Sequence, residues 1–406
     1  MNCRGCGSLL ETTLLDLGCT PIANDLLELN QIKKVYKKYP LHAMTCSKCA
    51  FVQLSEVIPK EKIFTSEYVY FSSYSSTWLE HSKLYVQKMI SFLQLKPDDL
   101  VVEVASNDGY LLQFFSLANI QTLGIEPASS VASVAITKGI PTVVDYFCET
   151  LATKLAETIK PRLIIGNNVL AHVPDLHDFI KGFSILIKDN NIITFEFPHL
   201  LNLIKNSQFD TIYHEHYSYL SVFSLIPIFN EHKLKIFKIE KLSTHGGSLR
   251  IYVAKHDSDW EVDKSVQSTI DEELEYDPRN EMVCRSLQNN VEKIKKDLLD
   301  LLKFCKSSNQ IIAAYGAAAK GITLLNYVGI NSDLIDYVID ISPIKQGLYI
   351  PGINVPIVSE EVLNTSPPNV LLVLPWNLSK EIKLQLSKYI EGGLKLVRSI
   401  PKVEYF

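Results

Sequence analysis

Short apolar runs alternate with segments of helical periodicity through the middle of the chain. The stretch DDLVVEVASNDGYLLQFF holds an apolar run over residues 100–104, then a polar turn, then a helical segment that opens at Tyr110. Comparable apolar runs follow in TLGIEP, PTVVDYF, RLIIGNNVLAHVPD and NNIITFEFPH. Strands that alternate with helices in this way predict a parallel, doubly wound α/β sheet.

The alternation returns near the C-terminus after a change of pattern. KLKIFKIEKLSTHGGSLRIYVAKH predicts an antiparallel hairpin that turns at Gly246 and Gly247. Residues 260–304 carry apolar positions at helical spacing among many charges, which predicts a long linking helix or a helix pair. NQIIAAYGAAAKGITLLNY predicts a strand, a small-residue turn at 316–321 and a helix, and the following strand ends at Asp340. We therefore expect a second βαβ unit, which the buried strand NVLLVLPWN extends.

These patterns divide the chain into three predicted domains. Residues 1–75 form a small N-terminal domain, residues 76–256 the central α/β domain, and residues 257–406 a second Rossmann-like α/β domain. A chain of 406 residues, 47% of them hydrophobic, is long enough for two or three domains with a core each.

Charge and hydropathy exclude several partners. The formal net charge of −5, with scattered Lys and Arg, offers no basic field for a nucleic-acid backbone. No apolar run approaches the roughly 18 residues that a membrane span needs. The start MNCRGCGSLL lacks a charged region followed by an apolar one. We expect a soluble, cytoplasmic protein, a monomer or a homodimer, that binds neither nucleic acid nor membrane.

Four of the eight cysteines fall in two C-x2-C pairs. CRGC contributes Cys3 and Cys6, and CSKC contributes Cys46 and Cys49. Each pair presents two thiolates on a tight turn, and four sulfurs suit a tetrahedral zinc ion. The gap between the pairs is longer than in a typical zinc ribbon, so ordinary cysteines in turns stay an alternative. A closed four-sulfur site would be structural and would stabilise a domain with little core of its own.

Polar side chains gather where the predicted parallel strands end, which is where doubly wound sheets bind ligands. Glu126 comes about 20 residues after the first turn, where an acid can accept hydrogen bonds from ribose hydroxyls. With Ala105 and Ser106, the turn keeps a single glycine, Gly109, and so favours a ligand without a pyrophosphate. The residues at these strand ends are Glu103, Asn107, Asp108, Glu126, Asp145, Asn168, His172, Glu196 and His199.

The turn EVASNDG resembles motif I of the class I methyltransferases, whose cofactor is S-adenosylmethionine. Those enzymes also add a closing antiparallel hairpin to an otherwise parallel sheet. Any other Rossmann-like domain with an acid at each strand end stays an alternative. The resemblance implies these cofactor contacts: Glu103, Ala105, Asn107, Asp108, Gly109, Glu126, Pro127, Asp145 and Asn168.

The segment YHEHYSY, residues 213–219, crowds proton-handling groups between the last parallel strand and the hairpin. If it runs extended, His214 and His216 share one face while Tyr213, Glu215 and Tyr217 share the other. An aromatic cap over the sheet is one interpretation, and a metal site with His-x-His and a glutamate is a second. The third is acid/base chemistry, because a histidine titrates near neutral pH and a carboxylate can fix its tautomer. Beside a methyl donor, such groups suit a carbon acceptor, whose proton must first be removed.

Over essentially the whole chain, the order of motifs resembles that of the bacterial sugar C-methyltransferases. The matching stretches are the four cysteines, YVYFSSYSSTWLEH, VVEVASNDGYLL, GIEPA, NNVLAHVPDL, FEFPH, YHEHYSYLS, HGGSLR, YGAAAKGITLLNY and DISPIKQGLYIPGINVPI. Those enzymes add a methyl group to carbon 3 of a nucleotide-linked 4-keto-deoxysugar. The resemblance therefore implies such a sugar nucleotide as substrate.

The resemblance also implies catalytic roles. His216 would be the base, with Tyr213 and Glu215 assisting it or holding the sugar, and His172 would donate to the ketone oxygen. An active-site tyrosine in the YxYxSS stretch falls on Tyr68 or Tyr70.

The substrate contacts implied by the resemblance lie in the motifs HGGSLR and YGAAAKGITLLNY. They are His245 and Arg250 of HGGSLR, together with Lys320, which could receive the diphosphate beside a helix N-terminus. A scaffold turn that merely permits close packing is the alternative for 316–321. Ala105 departs from the glycine usual in the first turn of the family.

Three other functions stay open from the sequence alone. A methyltransferase could act on oxygen or nitrogen, and the C-terminal unit could serve a nicotinamide oxidoreductase, although GAAAKG matches dinucleotide fingerprints poorly. A binding protein with a catalytically dead domain is the third, and the acids and histidines at the strand ends argue against it.

Overall fold

The computed structural model describes residues 1–33, 37–59 and 71–406. Within these residues the strands form sheets of four, seven and six strands. In chain order the strands are β1 Thr12–Thr20, β2 Tyr39–Thr45, β3 Val52–Leu54, β4 Leu100–Val104, β5 Gln121–Ile125, β6 Thr142–Val143, β7 Leu163–Asn167, β8 Ile192–Pro198, β9 Ser218–Tyr219, β10 Leu234–Leu242, β11 Ser248–Lys255, β12 Ile312–Tyr315, β13 Tyr337–Ile339, β14 Ile357–Val358, β15 Val370–Val373, β16 Lys395–Arg398 and β17 Glu404–Tyr405.

The helices lie mostly between these strands, as the alternating pattern predicts. The α-helices are α1 Ser76–Leu93, α2 Leu112–Leu117, α3 Ser129–Thr137, α4 Glu149–Ala156, α5 Leu176–Leu186, α6 Leu200–Lys205, α7 Val222–Glu231, α8 Lys264–Leu274, α9 Glu281–Ser307, α10 Ala319–Val328, α11 Val362–Thr365, α12 Ser379–Gln385 and α13 Ser387–Glu391. The 3-10 turns are Ser72–Tyr74, Leu170–His172, Phe209–Thr211, Thr244–Gly246 and Trp376–Leu378. No helix of the described residues is both long and apolar enough to cross a membrane.

The central sheet has the strand order β10-β11-β8-β7-β4-β5-β6. Strands β4 to β8 pair in parallel, and β11 runs antiparallel to both β8 and β10. This order confirms the predicted parallel sheet that ends in an antiparallel hairpin. Because β5 and β7 flank β4 on opposite sides, the strand order reverses there, and the carboxyl end of β4 opens into a crevice.

The third sheet, β14-β13-β12-β15-β16-β17, confirms the second βαβ unit. Its strands pair in parallel except at the β16–β17 edge. The helix pair α8 and α9 precedes it, which is one of the two alternatives that the charged segment predicts. Helix α9 buries one side chain per turn, with Cys284, Leu287, Val291, Ile294, Leu298, Leu302 and Cys305 along that face. That face joins one hydrophobic core with residues of the first sheet and the third sheet.

The first sheet contains a strand from a distant part of the chain. Its order is β1-β2-β3-β9, and β9 belongs to the YHEHYSY segment. Val52 pairs with Tyr219 and Gln53 with Ser218. The segment that carries the proton-handling groups is therefore also the outermost strand of the N-terminal sheet. The division of the chain after residues 75 and 256 stays a prediction.

Candidate active site

The four cysteines of the two C-x2-C pairs converge at the N-terminal sheet. Cys3 Sγ lies 3.6 Å from Cys49 Sγ, and Cys6 Sγ lies 3.6 Å from Cys46 Sγ. All four sulfur atoms lie within 4.8 Å of one another, and none forms a disulfide. Zinc–sulfur bonds of ~2.3 Å place tetrahedral sulfurs about 3.8 Å apart. The sulfur positions therefore fit one zinc ion.

The cysteine cluster is anchored to the central domain by hydrogen bonds. The Nε2–H of His177 donates to the carbonyl of Gly5, 3.0 Å away. Arg4 donates to the carbonyl of Tyr217, and the Leu54 N–H donates to the same carbonyl at 3.0 Å. The turn between Cys3 and Cys6, which contains Arg4 and Gly5, therefore directly supports the YHEHYSY segment.

The turn after β4 is built around the Glu126 carboxylate. Its two oxygens accept the N–H of Asn107 at 3.0 Å and the N–H of Ala128 at 2.9 Å. Burial raises the pKa of Glu126 and raises that of Glu103 well above its usual value. Each Glu126 oxygen keeps a second lone pair, so the carboxylate still has acceptor capacity for a hydroxyl pair.

Two serines that sequence reasoning did not single out hold this turn from outside. The N–H of Ser72 donates to Asn107 Oδ1 at 2.9 Å, and the Ser73 hydroxyl donates to Asp108 Oδ2. Lys138 also lies 3.2 Å from Asp108 Oδ2. Both serines lie in the stretch YVYFSSYSSTWLEH, and its resemblance to the family was the one sequence feature that could have indicated them. The predicted tyrosines of the same stretch, Tyr68 and Tyr70, lie outside the described residues.

Several buried polar atoms at the carboxyl ends of the central strands have no hydrogen-bond partner among the described residues. They include Asp108 Oδ1, Ser106 Oγ and Asn168 Oδ1. Asp145 is exposed at the end of β6, and Pro127 is half-buried after Glu126. These atoms are two acceptors and a hydroxyl, and like the Glu126 carboxylate they lie at the carboxyl ends of these strands. They can pair with the hydroxyl, ammonium and amino groups of S-adenosylmethionine. The residues predicted for that cofactor therefore fit it, and their individual roles stay predictions.

Ala105 adopts a left-handed backbone conformation, with φ of 58°. This conformation costs a residue with a Cβ about 1–2 kcal/mol, which explains why glycine is usual in this turn. We expect Ala105→Gly to raise the free energy of unfolding by up to ~1 kcal/mol, since greater freedom of the unfolded chain offsets part of the gain. Thermal unfolding would measure it, with S-adenosylhomocysteine titration as a check on the turn. Ala118→Gly, at φ of −87°, is the matched control and should destabilise; the same sign for both variants would contradict the explanation.

The YHEHYSY segment does not run extended. A turn at His214 and Glu215 brings the His216 N–H to the carbonyl of Tyr213 at 2.9 Å. Tyr213 and His216 therefore face each other, and their ring centroids are 4.0 Å apart. An extended chain would have placed Tyr213 and His216 on opposite faces. Because the chain turns instead, the two side chains form a pair.

The hydrogen bonds of His216 define its tautomer. Nδ1 lies 2.9 Å from the carbonyl of Thr211, which can only accept, so Nδ1 carries the hydrogen. Nε2 lies 2.8 Å from the Tyr213 hydroxyl, which donates to it. Burial, together with the neighbouring His172, lowers the pKa of His216 well below its usual value. His216 is therefore a neutral imidazole whose lone pair points at a hydroxyl.

Other groups of the predicted site surround this pair. The ring of His172 lies 4.7 Å from that of His216, and it donates a hydrogen bond to the backbone of Glu215. Burial lowers the pKa of His172 to about 4 and that of His245 to about 4. His245, in the turn before β11, packs at a tilt against Trp78, with ring centroids 5.2 Å apart. The three histidines are thus largely uncharged, with His216 buried and the other two half-buried.

The neighbours of His216 within the segment point elsewhere. His214 Nε2 lies 3.2 Å from the carbonyl of Tyr39 in the N-terminal sheet. Glu215 accepts a hydrogen bond from Asn24, and burial raises its pKa to about 7. Among the described residues, the groups that could hold a metal are the four cysteines and a separate His177, Glu231 and His232 cluster. The metal interpretation of YHEHYSY therefore gains no support.

Arg250 lies in a buried network of charges on the central sheet. Its guanidinium contacts Glu196 Oε2 at 2.8 Å and Glu240 Oε2 at 3.3 Å. His81 Nε2 lies 3.0 Å from the same Glu196 oxygen. Both carboxylates are thus already paired with Arg250, and its predicted contact with a substrate stays a prediction.

The small-residue turn of the third sheet packs closely against the residues that directly follow β15. An added Cβ would lie 2.7 Å from Pro375 at position 316 and 2.7 Å from Leu374 at position 321. The Ala317 N–H donates to Asp340 Oδ2 at 2.8 Å. Close packing therefore accounts for the small residues, as the scaffold interpretation predicts.

Lys320 lies in the first turn of α10, and its side chain reaches the 3-10 turn Trp376–Leu378. Its Nζ donates to Asn377 Oδ1 and lies 5.1 Å from the centroid of the Trp376 ring. Its positive charge lowers the pKa of both His216 and His245. The charge of Lys320 therefore acts on His216 and His245, and its predicted contact with the diphosphate stays a prediction.

Comparisons with known proteins agree on one class of enzyme. A family model described as "C-methyltransferase C-terminal domain" matches residues 243–401, and one described as "Putative zinc binding domain" matches residues 3–64. The chain is 31% identical over 401 residues to C-methyltransferase NovU of Streptomyces niveus, covering 98% of this chain and 95% of that protein.

Similarities to solved structures are low. Magnesium protoporphyrin IX methyltransferase from Synechocystis PCC 6803 with bound SAH is 14% identical, covering 48% of this chain and 92% of that one, with a TM-score of 0.35. An S-adenosylmethionine-dependent methyltransferase from Clostridium acetobutylicum ATCC 824 is 13% identical, covering 48% and 95%, with a TM-score of 0.35. Likenesses this low add nothing to the sheet order seen directly in this chain.

Proposed function

Because the chain belongs to the C-methyltransferase family, we propose that it methylates the carbon beside the ketone of a nucleotide-linked 4-keto-deoxysugar, with S-adenosylmethionine as donor. The observation that carries this proposal is the neutral His216, whose Nε2 accepts the Tyr213 hydroxyl while its Nδ1–H is held by Thr211. A carbon acid needs such a base, whereas a hydroxyl acceptor needs far less.

The geometry supports proton transfer through Tyr213. The Tyr213 oxygen takes the proton from the carbon beside the ketone as its own proton passes to His216 Nε2. The C–H bonding electrons move into an enolate, and the new imidazolium keeps its Nδ1–H on the Thr211 carbonyl. That carbonyl fixes the ring and stabilises its charge.

The developing negative charge on the enolate oxygen requires positive or donating groups nearby. Lys320 and His245 are the candidates for this role, because each interacts electrostatically with His216. His172 keeps its donor on the backbone of Glu215, so it orients the turn in this state. When bound at the end of β4, S-adenosylmethionine would supply its sulfonium methyl group to the nucleophilic carbon. The open acceptors Asp108 Oδ1 and Asn168 Oδ1 would contact the cofactor.

The four cysteines support a structural role for zinc. Four thiolates complete the tetrahedral shell of the ion and leave no position for substrate. The cluster contacts the catalytic segment only through the protein, by the bonds of Arg4 and His177 and by the pairing of β3 with β9.

Solvent exchange tests the proposed function. The protein is incubated in heavy water with S-adenosylhomocysteine, which cannot donate a methyl group, and candidate nucleotide-linked 4-keto-deoxysugars. We expect the enzyme to catalyse loss of the proton at carbon 3. NMR measures the rate of this loss, and the rate without protein is subtracted from it. Because removal of this proton needs the base, the exchange should disappear when His216 is replaced by Asn.

His214→Asn is the matched control, since His214 faces the Tyr39 carbonyl, and it should preserve the exchange. No exchange with any candidate, despite binding of S-adenosylhomocysteine, would refute the carbon acceptor and indicate methylation of oxygen or nitrogen.

A further inference from the structure

Asp210 is a fully buried carboxylate between the catalytic segment and the third sheet. Its Oδ2 accepts the indole N–H of Trp376 at 2.7 Å, and its Oδ1 has no hydrogen-bond partner among the described residues. The next residue, Thr211, supplies the carbonyl that holds His216. The 3-10 turn Phe209–Thr211 therefore links the base to the C-terminal part of the chain.

A positive charge lies on the other side of this contact. Lys320 donates to Asn377 and lies against the ring of Trp376, the residue bound by Asp210. Asp210 and Lys320 attract each other, which opposes the effect of burial on both groups. An unpaired charge at such depth would be strongly disfavoured.

We propose that Asp210 is a positioning residue that keeps Lys320 protonated and directed at an anionic oxygen of the substrate in the cleft of His216. The inference rests on the proposed function only for the identity of that oxygen, which is either the enolate or the diphosphate. Asp210 itself touches no reacting atom: it acts through the charge of Lys320.

The charges around Lys320 determine how this pair responds to pH. Burial lowers the pKa of Lys320, and Asp210 raises it. The other titratable groups that its charge influences are His216 and His245, and burial lowers the pKa of both, so they are neutral at neutral pH. Within this group Asp210 is therefore the source of negative charge. Its removal should let Lys320 lose its proton at a lower pH.

The direct test follows Lys320 itself, independently of any substrate. The protein is labelled with 15N at lysine Nζ, and the resonance of Lys320 is assigned by its loss in Lys320→Arg. We expect Asp210→Asn to move the titration of this resonance to lower pH. Trp376→Phe is the matched control, because it removes the indole donor but keeps both charges, and it should leave the midpoint near its original value. The same midpoint in the wild type and in Asp210→Asn would overturn the proposal.

Kinetics then identify the oxygen. In Asp210→Asn we expect kcat/KM to fall by roughly tenfold or more at alkaline pH, with partial recovery at lower pH where Lys320 is again protonated. A fall in kcat indicates the enolate oxygen, and a rise in KM indicates the diphosphate. Equal pH profiles for both proteins would overturn the proposal. A shifted lysine titration in a protein that turns over no 4-keto-deoxysugar would support the pairing and refute the proposed function.

Discussion

Replacement of His216 with Asn is expected to lower turnover by about 10²–10⁴-fold, the usual contribution of a positioned general base. Asparagine can still donate to the Thr211 carbonyl, but it cannot take the proton that Tyr213 passes on. Cofactor affinity should stay within about twofold, since the cofactor turn lies at the end of β4. Steady-state methyl transfer and S-adenosylhomocysteine titration measure the two quantities separately.

His214→Asn is again the informative control. His214 is as deeply buried as His216, with exposed fractions of 2% and 9%, so a general packing effect should harm both variants. Its ring contacts Tyr39 rather than Tyr213, so we expect most of the turnover to remain. Equal losses in the two variants, or an active His216→Asn protein, would contradict the assignment of His216 as base.

Replacement of Cys46 with Ser should remove bound metal, fold stability and turnover together. Structural zinc contributes on the order of 10 kcal/mol or more in small zinc domains, as much as the whole stability of a typical protein. Cys46 is fully buried, and its Sγ lies 3.6 Å from that of Cys6. Metal analysis of the purified protein, thermal unfolding and methyl transfer would follow the three effects.

Cys19→Ser is the matched control for the loss of a thiol. Cys19 is exposed on β1 and lies outside the four-cysteine cluster, so its substitution should leave metal content and turnover unchanged. A Cys46→Ser protein that folds, lacks metal and still transfers methyl groups would refute the structural role of the site.

Patterns of neighbouring residues were sufficient to predict most of the fold. The apolar runs marked the strands of the central sheet, and the glycine pair marked its hairpin, because each depends on neighbours in sequence. The C-x2-C pairs likewise predicted the cysteine cluster, since ligand type and spacing are local properties. The spacing in the charged segment 260–304 predicted a long helix or a helix pair, and the structure shows the pair.

Long-range contacts account for what the sequence could not predict. The turn at His214 and Glu215 depends on anchors in other parts of the chain, among them Tyr39 and Asn24. Nothing local indicated that Asp210 would meet Trp376, because their contact joins two separately predicted domains. Asp210 lies three residues before YHEHYSY and Trp376 lies within NVLLVLPWN, and neither position predicted the contact.

The pairing of β3 with β9 has a consequence for the order in which the chain folds. During synthesis the first three strands of the N-terminal sheet leave the ribosome long before Ser218 and Tyr219, so the edge of β3 waits unpaired. Contacts this distant in sequence form late and slow the folding of a chain. The loop that carries His216 should accordingly be among the last parts to become ordered, and separately expressed N-terminal and C-terminal fragments could recover activity by assembling through this edge.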